Sequence, residues 1–160
     1  MNKKKLIVNI DTCYACGRCS ATCDYYYHPR NEGYVRCLAL GVQEHVCRRC
    51  ENPPCVAACP REALEKDAGG MLHRSSLRCT SCKSCTVACP FGVISPQIVE
   101  YATSMCDYCA DRCDDAHVPV CVSTCPHGAL SWQEAVEDPA ADTYAVRGGV
   151  YYVRTVKWKK

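Results

Sequence analysis

Phenylalanine occurs once and tryptophan twice in these 160 residues. Cysteine supplies much of the nominal hydrophobic fraction, so little bulk is available for a conventional core. Small chains with thin cores need staples, and bound metal can serve as one. The metal-free chain is therefore expected to be largely unfolded. Long apolar runs are missing too, and no segment approaches the roughly twenty residues of a membrane-spanning helix. The N-terminal M-N-K-K-K-L-I-V-N-I meets Asp11 before its apolar stretch attains the length of a signal-peptide core, and no twin-arginine pair precedes it. A reducing, cytoplasmic compartment is the expectation, with export in the company of a signal-bearing partner as the exception. No nucleophile–base pair, phosphate loop or flavin fingerprint occurs, so no catalytic residues are expected. The five histidines have no ligand-like arrangement.

What the chain has in excess is cysteine, eighteen in all. Sixteen fall into four sets of four: Cys13-x2-Cys16-x2-Cys19-x3-Cys23; Cys47-x2-Cys50-x4-Cys55-x3-Cys59; Cys79-x2-Cys82-x2-Cys85-x3-Cys89; and Cys106-x2-Cys109-x11-Cys121-x3-Cys125. Pro60, Pro90 and Pro126 follow the last three sets, and Asp24 follows the first. A secreted disulfide scaffold would also be rich in cysteine, but nothing at the N-terminus supports export. Zinc ribbons use C-x2-C pairs as well, yet four cysteines within eleven residues, twice over, is too dense for them. Soft thiolates wrapped closely round one point select iron–sulfur clusters over harder ions. Four sets imply four [4Fe-4S] clusters with these sixteen cysteines as iron ligands. Cys37 and Cys113 are left over, and burial as free thiols is the expectation for each. Cys113 offers a competing C-x2-C-x3-C with Cys106 and Cys109; Cys121 is preferred because P-V-C-V-x-x-C-P matches P-P-C-V-x-x-C-P at Pro53–Pro60.

The formal charge of +2 counts every cysteine as neutral. Sixteen thiolates and four oxidised clusters would bring it to about −6, so the slight basicity is no argument for nucleic acid. Residues 1–50 are mainly basic and residues 101–142 mainly acidic, a split that can orient a redox partner or merely be solvated surface. Four cations sit inside the binding loops, Arg18, Arg48, Arg49 and Lys83. A cation beside a cluster would favour its reduced form. Ser81 and Ser84 flank Cys82, where their hydroxyls could donate to sulfur. The Tyr25–Tyr26–Tyr27 run after Cys23 reads as packing.

The sequence repeats with a period of about thirty residues. Each repeat has a cysteine-rich loop, a C-x3-C step and a short apolar stretch: R-E-A-L at Arg61–Leu64, F-G-V-I at Phe91–Ile94, H-G-A-L at His127–Leu130. This resembles the bacterial two-cluster ferredoxin, here doubled. In that fold three cysteines of a loop serve one cluster, and the fourth begins a short helix and reaches the other cluster. The resemblance implies that Cys13, Cys16 and Cys19 share a cluster with Cys125, and Cys106, Cys109 and Cys121 share one with Cys23. It likewise groups Cys47, Cys50 and Cys55 with Cys89, and Cys79, Cys82 and Cys85 with Cys59. The implied fold class is α+β: two double-cluster units, one (residues 45–100) inserted in the other (1–44 plus 101–142). Lys5–Ile10 reads as a strand, residues 134–142 as an acidic linker, and residues 143–160 as a β-hairpin turning at Gly148-Gly149. The hairpin is expected to pair with the N-terminal strand and to dock a partner.

Over about residues 5–131 the four spacings are similar to those of four-cluster electron-transfer subunits of molybdenum and tungsten enzymes. That family includes the iron–sulfur subunits of dimethyl sulfoxide reductase and formate hydrogenlyase, and compact members such as the aldehyde:ferredoxin oxidoreductase small subunit. The resemblance implies a non-catalytic subunit that passes single electrons between a catalytic partner (a tungsten or molybdenum enzyme, or a hydrogenase) and a flavin subunit or ferredoxin. A self-stacking, filament-forming polyferredoxin and a freely diffusing ferredoxin are the alternatives.

Overall fold

The structure is a computed structural model that describes residues 4–23, 33–99, 106–109, 111–113 and 116–157. Asp24, the Tyr25–Tyr27 run and the last three residues of the tail lie outside these. Strand β1 (Lys4–Asn9) buries Leu6, Ile7 and Val8 and is interior to a four-stranded sheet. It pairs antiparallel with β4 (Leu130–Glu134), setting Val8 opposite Leu130 and Leu6 opposite Trp132. On its other side it runs parallel to β6 (Tyr151–Arg154), which pairs antiparallel with β5 (Thr143–Val146). The strand expected at Lys5–Ile10 stops one residue early. Asn9 accepts the Thr12 N–H at 3.0 Å and so caps helix α1 (Ile10–Ala15), which claims Ile10.

The C-terminal hairpin forms as expected. Gly148 and Gly149 take φ of +67° and +85° at its turn, which side-chain-bearing residues seldom tolerate. Its pairing with β1 is also present, so residues 143–154 complete the molecule's own sheet. The acidic stretch is more structured than a linker. Its first residue, Glu134, ends β4, and Asp138 caps the short 3-10 turn Pro139–Ala141 by accepting the amides of Ala140 and Ala141. The tail is pinned at its far end by Asp11, whose carboxylate accepts the Thr155 hydroxyl at 2.8 Å and the Val156 amide at 2.7 Å. Partial burial opposes ionisation of Asp11, but these hydrogen bonds outweigh it and hold the carboxyl below its ordinary pKa.

The sequence reading did not anticipate α2 (Gly33–Val46), the longest described helix. It packs on the sheet through Cys37, Gly41, Val42 and Val46. The fully buried Tyr151 donates its hydroxyl to the Cys37 carbonyl at 2.8 Å. His45 donates to the Ala145 carbonyl at 2.8 Å, tying the helix end to β5. At Gly41 a Cβ would come within 2.5 Å of the Val153 side chain, so only glycine permits this approach.

The remaining elements are short: α3 (Pro54–Ala57), hairpin strands β2 (Leu64–Lys66) and β3 (Leu72–Arg74), α4 (Ser84–Ala88), α5 (Pro96–Val99) and α6 (Val120–Ser123). Helices α3, α4 and α6 carry Cys55, Cys85 and Cys121, the third cysteine of each later set. The fourth cysteines, Cys59, Cys89 and Cys125, fall just past the helix ends, whereas the ferredoxin resemblance had them opening the helices. The prolines after them prevent continuation. Among the described residues no helix is long and apolar enough to cross a membrane.

Gly41→Val is expected to force α2 away from β6 and to cost about 1–3 kcal/mol as overpacking. Denaturant unfolding followed by circular dichroism measures this; an unchanged midpoint would show that α2 does not rest on the sheet at Gly41.

Candidate functional site

The turns between cysteines are tight, and several use left-handed backbone at residues other than glycine: Arg49, Ser81, Lys83, Tyr108 and Cys109 have φ between +49° and +63°. Such turns aim amides back at sulfur. Ser81 N–H points to Cys79 Sγ at 3.4 Å and Tyr108 N–H to Cys106 Sγ at 3.3 Å. Ala63 N–H reaches Cys59 Sγ at 3.2 Å. Donors placed this way favour sulfur in its anionic form.

Three small voids of similar size are each lined by four cysteines. Cys47, Cys50 and Cys55 face the first together with Cys89. Cys79, Cys82 and Cys85 face the second together with Cys59. Cys106, Cys109 and Cys121 face the third together with Cys23. In each, three thiols come from one set and the fourth from another. Cys16, Cys19 and Cys125 are the thiols that bear on Cys13, and Thr22 donates its amide to the Thr124 hydroxyl at 3.0 Å, joining that loop to the end of α6. Around the first two voids the other walls are mainly apolar, including Leu72, Val93 and Ile94 at the first and Leu64 and Val99 at the second.

The two leftover cysteines are both buried, and each lies against a cysteine that lines the third void. Cys37 hydrogen-bonds the Cys106 thiol, which raises its own pKa well above normal and lowers that of Cys106. Cys113 donates its amide to the Cys109 carbonyl at 3.0 Å. Of the two serines, Ser84 reaches the Cys82 sulfur, at 3.4 Å, and lowers that thiol's pKa. The Ser81 hydroxyl is buried with no partner among the described residues. Arg48 lies over the Phe91 ring with its guanidinium carbon 5.7 Å from the centroid, and both line the first void. Lys83 lines the second, while Arg49 donates to the Gly69 carbonyl at 3.3 Å. Lys66, unremarked in the sequence, is the cation that clasps a cysteine loop: its ammonium donates to the Cys50 carbonyl and, at 3.2 Å, to that of Arg49. Only the β2–β3 pairing brings it there, so no local signal marks it.

The residues present suit a soft, multivalent metal group: four thiols to each of three voids, amides directed at sulfur, and mainly apolar walls at two of the voids. The match to the 4Fe-4S dicluster domain covers residues 38–135, more than half of the chain. The chain belongs to that family. It is a ferredoxin-like iron–sulfur protein of the [4Fe-4S] kind. The second, third and fourth cysteine sets fall inside the matched span, and the first lies before it. The chain is similar to the thiosulfate reductase electron transfer subunit PhsB of Salmonella typhi, 40% identical over 54% of this chain and 45% of the relative. It is similar to the putative electron transport protein YsaA of Escherichia coli K12, 31% identical over 78% of this chain and 86% of the relative. It is similar to the electron transport protein HydN of the same strain, 37% identical over 53% of this chain and 55% of the relative. The chain thus spans about half the length of PhsB and HydN.

Without metal, burial first and then neighbouring thiols push Cys13 up to about 11. Burial first, with Cys113 or with Cys106 and Cys23 adding to it, pushes Cys109 and Cys121 up to about 12. A thiol whose folded pKa is raised favours the metal-free fold below its unfolded value near 9, and that contribution is lost as pH rises through the folded value. Metal competes with those same protons. Acidification is therefore expected to release iron, and whatever structure the metal-free chain keeps should weaken between about pH 9 and 12. Loss of visible absorbance against pH, beside circular dichroism of the metal-free chain, checks both signs.

Proposed function

We propose that this chain is the electron-transfer subunit of an oxidoreductase complex, with four [4Fe-4S] clusters held by four crossed sets of cysteines. The sets are Cys13, Cys16, Cys19 with Cys125; Cys106, Cys109, Cys121 with Cys23; Cys47, Cys50, Cys55 with Cys89; and Cys79, Cys82, Cys85 with Cys59. The observation that carries this is the lining of the three voids, where a thiol from another set completes each quartet. Residues 45–100 then form one double-cluster unit inserted in another made of residues 1–44 and 101–142. When bound, such clusters accept and return one electron each.

The protein itself does no bond-making chemistry, in keeping with relatives named as electron transfer and electron transport proteins. Its residues fix the spacing between clusters, keep water from them with apolar side chains, and bias their charge. Amides of Ala63, Ser81 and Tyr108 favour added negative charge at the sulfurs they face. Lys66 and Arg48 act in the same sense at the first void. The catalytic partner is a reductase or dehydrogenase subunit, of the tungsten or molybdenum class or a hydrogenase, with a flavin subunit or ferredoxin exchanging electrons at the other end. The cysteine spacing and its likeness to subunits of such enzymes support that choice.

Anaerobically prepared protein is expected to hold about sixteen iron and sixteen sulfide per chain. Cys59→Ser should perturb the cluster of Cys79, Cys82 and Cys85, seen as loss or change of one electron paramagnetic resonance component. Damage limited to the cluster of Cys47, Cys50 and Cys55 would refute the crossing. Tungsten, molybdenum or nickel in the co-purified complex would identify the partner's chemistry.

A further inference from the structure

Beside the void of Cys59, Cys79, Cys82 and Cys85 a wide groove runs between α2 and the β2–β3 hairpin, with Arg147 of the C-terminal hairpin also lining it. Its volume is about 650 Å³, far larger than any cysteine-lined void. Leu40, Leu64, Leu72, Ile94 and Val99 give it an apolar wall. Three guanidinium groups enter it, from Arg36, Arg74 and Arg147.

Arg36 is the unusual member. Its exposure is 9%, its Nε is buried, and that Nε has no hydrogen-bond partner among the described residues. A buried guanidinium nitrogen left without an acceptor carries a desolvation cost. Arg74 and Arg147 make the position worse, since both are near enough to oppose the charge on Arg36. Among the described residues Arg74 reaches the Val99 carbonyl, at a long 3.5 Å. Among the described residues Glu44 is the one carboxylate lining the groove, and it accepts the backbone N–H of Arg147 at 3.4 Å. His73, at the rim, is taken by Asp67 at 2.9 Å. One carboxylate against three guanidiniums leaves the groove with an excess of about two positive charges and unused planar donors.

We propose that this groove binds a small multivalent oxyanion, phosphate-like or carboxylate-bearing, through Arg36 with Arg74 and Arg147. Guanidinium forks match the paired oxygens of such groups, and a donor sunk at the groove wall is within reach of a compact ligand that can enter. The apolar wall provides room for a carbon skeleton. Leu64, Arg74, Cys85 and Val99 line both this groove and the void of Cys59, Cys79, Cys82 and Cys85. The ligand therefore shares a wall with that void, and its binding requires no cluster to be filled for the arginines to be present.

Calorimetric titration of the anaerobic holo-protein tests this, with inorganic phosphate and citrate as probes and chloride at matched ionic strength as control. One saturable site for phosphate or citrate is expected, absent for chloride, with a rise in the unfolding midpoint that follows ligand concentration. Saturation by phosphate alone would assign a free inorganic anion, and saturation by citrate an organic acid. Arg147→Gln, at an exposed position, should fold normally and weaken binding about tenfold, the loss of one charged hydrogen bond. Arg36→Met, which keeps the apolar stem and removes the guanidinium, should abolish binding. The absence of saturable binding by either probe overturns the proposal, as does equal affinity in the Arg147 variant. Iron content unchanged in both variants separates this outcome from failure of the cluster assignment.

Discussion

Four sulfur atoms gathered round one void are tolerable only in two conditions. Either their protons stay on, or a compact positive charge replaces them. Burial and mutual repulsion push Cys13, Cys109 and Cys121 far above the ordinary thiol range, so the protein surroundings alone do not stabilise four thiolates. An iron–sulfur cluster satisfies both needs, since it takes thiolates as ligands and fills the void they surround. The backbone is subordinate to that requirement. Turns pass through left-handed conformations at Arg49, Ser81, Lys83, Tyr108 and Cys109, each a small cost accepted to turn sulfur and amide inward.

A second organisation is independent of sulfur. β1, β4, β5 and β6 close a sheet that joins residues near both ends of the described chain, and α2 lies on it through Gly41 and the Tyr151 hydroxyl. This layer holds most of the fully buried side chains, among them Val8, Val146, Tyr151 and Val153. The two systems meet at Cys37, whose carbonyl is held by Tyr151 while its thiol lies against Cys106. The thin core inferred from composition is therefore concentrated rather than spread. It supports the quartets nearest the sheet, while the β2–β3 portion has only a two-stranded ribbon and short helices and depends more heavily on metal.

The cysteine ladder and the hairpin were legible because both are local signals, one a spacing and the other a Gly-Gly turn between β-branched and aromatic flanks. Strand β1 was legible as well, to within one residue at each end; helix α2 and strand β4 were not. Helix α2 hides because Gly41 weakens its propensity, and the reason for Gly41 is Val153, more than a hundred residues away. Strand β4 follows directly on H-G-A-L and runs into acidic sequence, so nothing nearby marks Leu130–Glu134 as extended; its partner β1 does. Lys66 reads as a surface lysine until the short hairpin carries it to the Cys50 carbonyl. Ser81 and Ser84 look equivalent on either side of Cys82, yet only Ser84 has its hydroxyl on the sulfur. In each case the missing information was a contact between distant residues.

The uneven charge along the sequence also resolves differently in three dimensions. Many of the acidic groups are committed to the backbone or to near neighbours. Asp11 holds the tail amides, Asp138 caps its turn, Asp67 accepts from Met71 and His73, and Asp107 pairs with Arg112 while accepting the Cys109 amide. Such carboxylates contribute little to a long-range field. Cations at the cysteine loops are similarly engaged, Lys66 by carbonyls and Arg48 by an aromatic face. Among the described residues, Arg36, Arg74 and Arg147 share one groove with a single carboxylate, Glu44. The arginines' position follows from the groove that α2 and the β2–β3 hairpin line together, since Arg36 of the helix and Arg74 at the end of β3 both face it. Positive charge concentrated at the junction of the two systems is a consequence of the fold that neither the sheet nor the cysteine quartets require.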